Sequence, residues 1–323
     1  MTAAGHVLGV ALLTSAAAAP APTAGLRGVW TAERSTWRVE NAGTTTLVQL
    51  SLRRNTSHDN WSSSHPVPLV ELQGLTAAQI DAASADVRFD WKRDAGTFAF
   101  EGRFEAGAGA GHFSFATSPD YVADMRRRGY GDIDHEKALS LAIHDVSRAF
   151  LSDLAALGYE HVPLDQLMAL RIHGASPEFI RGLAGLGYSR LPVDQLVALR
   201  IHGASLDFVR DVQGLGFAGL AADQLVAFRI HAVSPEFIRA FRGFGYDHLT
   251  ADQLVAMRIH GVSPEFVKDL KALGYDAVPV DQLVAMRIHG VTADFIRQVK
   301  QRAGKSVGVE QLVSMRIHGE DPE

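Results

Sequence analysis

The 323-residue chain contains no cysteine, which excludes disulfides, thiolate metal sites and cysteine nucleophiles. A strong excess of either charge is absent as well. A formal net charge of −5 provides no electrostatic footprint for nucleic acid or acidic lipid. Long apolar runs are missing: the run from Val7 to Leu13 is too short to span a bilayer as a helix. The familiar catalytic signatures are incomplete. His135-Glu136 is followed by Lys137, Ala138 and Leu139, so the zinc-peptidase motif lacks its second histidine. Neither a nucleophile elbow nor a phosphate loop occurs, and the Gly107 to Gly111 stretch does not join a strand to a helix.

What is present is ordinary globular material, 47% apolar and 21% charged, with a length that calls for two units or one extended one. The apolar run at the start is followed by Thr14, Ser15, four alanines, Pro20 and Pro22. That order resembles an export signal with a small-residue cleavage site, although the first six residues carry no Lys or Arg. Residues 1–24 are therefore read as a signal and flexible segment. Abundant Arg, Ala and Gly suggest a GC-rich bacterial gene, and the expected location is periplasmic or secreted.

Residues 25–117 are read as a β-rich domain. Val48, Leu50 and Leu52 alternate with Gln49, Ser51 and Arg53, the pattern of a strand with one buried face. Similar alternation runs through Val87, Phe89 and Trp91, through Phe98 and Phe100, and through Phe113 and Phe115. Asp94-Ala95-Gly96 marks a hairpin, and Gly102, Gly109 and Gly111 mark places where backbones approach closely or bulge. A small antiparallel sandwich or roll is expected, with one short helix from Leu75 to Ala83 opened by Thr76 and Gln79. His58, Asp59, His65 and His112 lack the spacing of a metal site and are read as loop or surface residues.

Residues 118–320 repeat every 29 residues, with a three-residue tail at 321–323. Ser118, Ser147, Ser176, Ser205, Ser234, Ser263 and Thr292 align, as do the histidines from His144 to His318. A period this sustained predicts an α-solenoid of seven helical hairpins after the β domain, an α+β chain overall. Within each row, Ser-Pro-Glu-Phe opens a first helix through an N-cap and a proline in the first turn, and Leu-Gly-Tyr closes it with glycine. A second helix opens at Asp-Gln and ends at Arg-Ile-His-Gly. Each is too short to persist alone and requires stacking. The apolar positions of the second helix, such as Leu254, Val255, Met257 and Ile259, cover most of its circumference and are expected to pack between neighbours.

Three periodic polar sets stand out. Arg171, Arg200, Arg229, Arg258, Arg287 and Arg316 follow a core leucine by four residues, so buried stems are expected, paired with the recurring acids or the Asp-Gln pairs. His173, His202, His231, His260, His289 and His318 fall in the last helical turn, where they suit the negative end of the helix dipole. A metal ladder is excluded because neighbouring rungs lie about 10 Å apart and no second ligand recurs. Arg181, Arg210, Arg239, Lys268 and Arg297 recur at one azimuth of the first helix and form the candidate partner-binding stripe. No cofactor is implied. From 118 to 320, 24 acidic residues face 22 basic ones, which argues against nucleic acid.

The strings GTFAFEGRF, GAGHFSF, YVADMRRRGYGDI, LAIHDVS and DQLVAMRIHGVSPEF resemble the extracytoplasmic C-terminal regions of bacterial antirepressor-type, β-lactam-sensor-like membrane metallopeptidases. The resemblance runs from about Gly28 to Gly319. It implies a detached sensor or scaffold part, without protease activity, since the zinc helix is missing, and without β-lactam acylation, since no serine-lysine motif occurs. The resulting expectation is an exported, non-catalytic interaction or sensing scaffold whose partner is a protein, peptide or glycan of the cell envelope. Its alternatives are an accessory part of a membrane-peptidase signalling system and a hydrolase using the histidines of the β domain.

Overall fold

The computed structural model describes residues 25–39, 43–55 and 60–319. Residues 1–24, read above as an export signal, His58, Asp59 and the tail lie outside them. The fold is α+β: an antiparallel sheet followed by helices, in two compact units divided between Asp145 and Val146. No described helix is long and apolar enough to cross a membrane.

Seven strands build the first unit: β1 (Leu26–Val39), β2 (Gly43–Asn55), β3 (Asn60–Pro68), β4 (Leu72–Gln73), β5 (Ala85–Arg93), β6 (Gly96–Glu105) and β7 (Ala108–Thr117). They form a single curled antiparallel sheet in the order β3-β2-β1-β7-β6-β5-β4, where a small antiparallel sandwich or roll was expected. The reason lies in β1, which pairs with both β2 and β7 and so joins two meanders edge to edge. Inner residues of distant strands then meet each other. Trp30 of β1 lies 5.4 Å edge-on from Phe89 of β5, across the intervening β7 and β6. The indole can reach because the residues beneath it are Gly111 and Gly102. A Cβ on Gly111 would sit 2.0 Å from the Glu101 carbonyl, and one on Gly102 would sit 2.7 Å from the indole. The glycines therefore serve close approach. Phe98, Phe100, Phe104, Phe113 and Phe115 complete this buried face. Helix α1 (Ala77–Asp81), held by a Thr76–Gln79 capping box, packs on β5 and β6.

The helices that follow alternate with the 29-residue period. The first series is α2 (Pro119–Arg127), α4 (Arg148–Ala156), α6 (Pro177–Gly185), α8 (Leu206–Gly214), α10 (Pro235–Gly243), α12 (Pro264–Ala272) and α14 (Ala293–Ala303). The second series is α3 (His135–Ile143), α5 (Leu164–Ile172), α7 (Val193–Ile201), α9 (Ala222–Ile230), α11 (Ala251–Ile259), α13 (Val280–Ile288) and α15 (Val309–His318). The row containing α2 and α3 belongs to the sheet's unit, where α3 packs on β6 and β7. Arg54 of β2 and Glu136 form an ion pair at 2.6 Å, and Thr117 and His135 share a hydrogen bond of 2.8 Å.

The second unit holds the remaining rows. Successive members of each series pack on one another, α4 on α6 through to α14, and α5 on α7 through to α15. Ser176, Ser205, Ser234 and Ser263 each accept the amide of the phenylalanine three residues on, as an N-cap should. At the other end Gly187, with φ 93°, donates to Ala184, and Tyr188 donates to Leu183. That pair of bonds is a Schellman cap, which satisfies orphan carbonyls.

Candidate functional site

The second-series helices from α5 to α15 end on Arg-Ile-His followed by glycine, or by Ala232 after α9, and main-chain chemistry explains how they join. Their last carbonyls have no intrahelical donor. The ladder arginine of the next row supplies one: Arg229 Nε donates to the His202 carbonyl at 3.2 Å, Arg258 to His231 at 3.1 Å and Arg316 to His289 at 3.4 Å. The guanidinium also sits over the ring of a phenylalanine of the preceding first helix. Arg171 sits 5.2 Å from the Phe150 ring, Arg200 5.0 Å from Phe179, Arg258 4.8 Å from Phe237 and Arg287 5.1 Å from Phe266. A cation on an aromatic face at an exposed site contributes about 0.5–1 kcal/mol.

Two expectations are corrected here. The ladder arginines are not buried: Arg200, Arg229, Arg258 and Arg316 are exposed, Arg171 and Arg287 half-buried. Nor do the recurring acids neutralise Arg200, Arg229 or Arg258, whose partners are rings and main-chain oxygens. Those acids pair instead within the first helix, with the stripe cations. Glu178–Arg181 lies at 3.5 Å, Asp207–Arg210 at 2.5 Å and Glu236–Arg239 at 3.3 Å, and Asp294 pairs with Arg297. Glu178 is held below the usual carboxylate range first by its own helix-start amide, then by Ser176, with Arg181 a lesser cause; Glu236 repeats the pattern. The stripe of Arg181, Arg210, Arg239, Lys268 and Arg297 is exposed as expected, but most of its charge is matched locally.

The histidines occupy the C-cap position at His173, His202, His231, His260 and His289. His318 is the last residue of α15. The carbonyls of His202, His231 and His289 carry the inter-row bond, and the side chains are exposed except that of His231, which is half-buried. Beside each one lies the feature that sequence reasoning assigned to the core. Ile172, Ile201, Ile230, Ile259, Ile288 and Ile317 are exposed by 52–56%. Leucine and methionine at the same helices' inner positions, such as Leu254 and Met257, are fully buried. The signal was available: Ile259 falls five residues after Leu254 and two after Met257, half a helical turn off their face. An unbroken apolar string conceals that offset.

A second ladder, unrecognised in the sequence, ties the first series together. Gln213, Arg242, Lys271 and Lys300 donate to the carbonyls of Leu186, Leu215, Phe244 and Leu273, at 2.8, 2.6, 3.1 and 2.6 Å. Tyr246 and Tyr275 reach forward to the Val278 and Val307 carbonyls at 2.7 Å each.

In the sheet unit, His65 lies on β3 and is half-buried, where a loop was expected. Its Nε2 is 2.5 Å from Ser63 Oγ, and the His144 ring stands 6.0 Å away. Burial and then the nearby Arg93 charge push the His65 imidazole below its usual range. Arg93 is itself engaged: it reaches Glu71 at 3.0 Å and Asp145 at 3.4 Å, and stacks 4.6 Å over Trp91. His112 pairs with Val29 across β7 and β1, on the exposed side of the sheet, whereas His65 pairs with Leu50 on the buried side. Alternation places the two histidines on opposite faces, so they share no site. Among the described residues no group of three or more His, Cys, Asp or Glu could hold a metal ion.

No protein-family model matches the chain, and no curated protein matches it significantly.

Proposed function

We propose that the chain is a non-catalytic interaction scaffold of the bacterial envelope, in which the helical unit is an α-solenoid of helical hairpins and displays one docking edge many times over. The single observation behind this reading is the row of six half-exposed isoleucines, one per hairpin, on helices that pack in sequence. A soluble protein scatters such residues singly; a regular file of them on one edge is the mark of a surface that another molecule covers. Export, and a role as the detached sensing part of a membrane-peptidase-like system, are supported by the N-terminal pattern and by the shared sequence strings. A hydrolase built on the front-domain histidines finds less support, since His65 and His112 face apart.

The test compares the native protein with a triple variant, Ile201→Ser, Ile230→Ser and Ile259→Ser, as baits for envelope extracts. Envelope components retained by the native chain and lost by an equally folded variant support the proposal. Identical retention by both would refute it.

A further inference from the structure

We propose that the isoleucine edge receives an extended acidic peptide, in a polyproline-like conformation, with an apolar side chain at every third residue. This deepens the scaffold reading and rests on it. Charge complementarity gives the sign. At this edge each row presents an isoleucine, an imidazole and a ladder arginine, and Arg200, Arg229 and Arg258 have no carboxylate partner among the described residues. Of the acids that begin the neighbouring first helices, Glu178, Asp207 and Glu236 are engaged by Arg181, Arg210 and Arg239, whereas Glu265 has no ion pair among the described residues. Around Arg200 and Arg229 what remains for a partner is therefore positive charge beside apolar knobs. The guanidinium groups are also fixed in advance, each between a phenylalanine ring and, for Arg229 and Arg258, a histidine carbonyl, so a carboxylate that meets them orders little that was free.

Spacing gives the conformation. Packed helices lie about 8–10 Å apart, so isoleucines on successive helices recur at that interval. A polyproline helix places equivalent residues three apart at about 9.3 Å. A β-strand brings equivalent residues back every second position, at about 6.8 Å, and an α-helix repeats its face every 5.4 Å. Two helical turns span about 10.5 Å, beyond the rung interval, so the threefold extended chain keeps step with the rungs best.

The probe is a fluorescein-labelled peptide of six Pro-Glu-Leu triplets, titrated with the full chain and read by anisotropy. The expected result is saturable binding that weakens at least tenfold when leucine is replaced by serine in the peptide, and at least tenfold between 50 and 500 mM salt. The Ile201→Ser, Ile230→Ser, Ile259→Ser variant should lose it, whereas Arg181→Gln, Arg210→Gln and Arg239→Gln together should leave it unchanged. If the isoleucine variant unfolds, the Pro-Lys-Leu peptide is the decisive control, because equal binding of this cationic peptide overturns the proposal. So does absence of binding to the acidic one. Isoleucine-dependent binding to phosphatidylglycerol vesicles with no peptide binding would make the edge a lipid surface instead, again overturning it. Envelope partners lost by the variant together with a silent acidic peptide would leave the scaffold reading standing and this occupant refuted.

Discussion

Ala232 holds a left-handed conformation, φ 55°, at the cap where Gly174, Gly203, Gly261 and Gly290 have φ near 70°. A side chain there costs about 1–2 kcal/mol, partly offset by the entropy that a glycine would lose on folding. Ala232→Gly should therefore stabilise the protein by about 0.5–1 kcal/mol, seen as a higher urea midpoint at unchanged slope. No change or a loss would mean that the turn is relaxed around alanine. His65 makes a pH-dependent contribution of the opposite kind. Its folded pKa is depressed by burial and Arg93, so just below the ordinary value of about 6.5 the unfolded chain takes up a proton that the folded one refuses. The contribution is complete above that value and shrinks as the pH falls through it. The drop in melting temperature between pH 7.5 and 5.5 should be smaller in His65→Gln than in the native chain; an equal drop would remove His65 as the cause. Ala232 was legible as an exception to an otherwise regular glycine column. His65 was not, because Ser62, Ser63 and Ser64 put hydroxyls on both faces of β3 and blur its period.

Helices of nine residues acquire stability from what touches their ends. Serine caps, capping boxes at Thr76 and Thr250, and glycine stops could all be placed from sequence, since each is a local bond between residues three to five apart. The two ladders between rows could not. Their acceptors are main-chain carbonyls, which leave no trace in composition, and in the first series the donor changes from Gln213 to Arg242 to Lys271; the Gln166–Asp194 and Gln195–Asp223 bonds, by contrast, join side chains at the recurring Asp-Gln positions. Arginine ladders beside plentiful acids invited an ion-pair reading that the geometry overrules. Arg258→Met should cost about 1–2 kcal/mol in a urea titration, removing both the ring contact and the bond to His231, while Arg258→Lys should cost less. A neutral Arg258→Met would show that the file of guanidinium groups serves something other than cohesion.

For the molecule as a whole, the period of 29 was plain and the point of division was not. The periodic helices begin at 119, yet the first row joins the compact unit of the sheet, fixed there by Arg54, Thr117 and the packing of α3. That attachment depends on residues from strands far away in sequence, which periodicity cannot reveal. An array coupled only between neighbours loses stability row by row. Removing residues 205–233, one full period, should leave a folded protein with the same ellipticity per helical residue and a lower urea midpoint. Wholesale unfolding would indicate a single indivisible core.

The oxygen atoms that receive the donors of the two ladders belong to the polypeptide backbone and are the same whatever side chain a row carries there. A row can thus be duplicated or excised in the gene, and the newly adjoining units will meet through bonds they already know how to make. Arrays of other lengths should be reachable by recombination alone, with no compensating substitution at the seam.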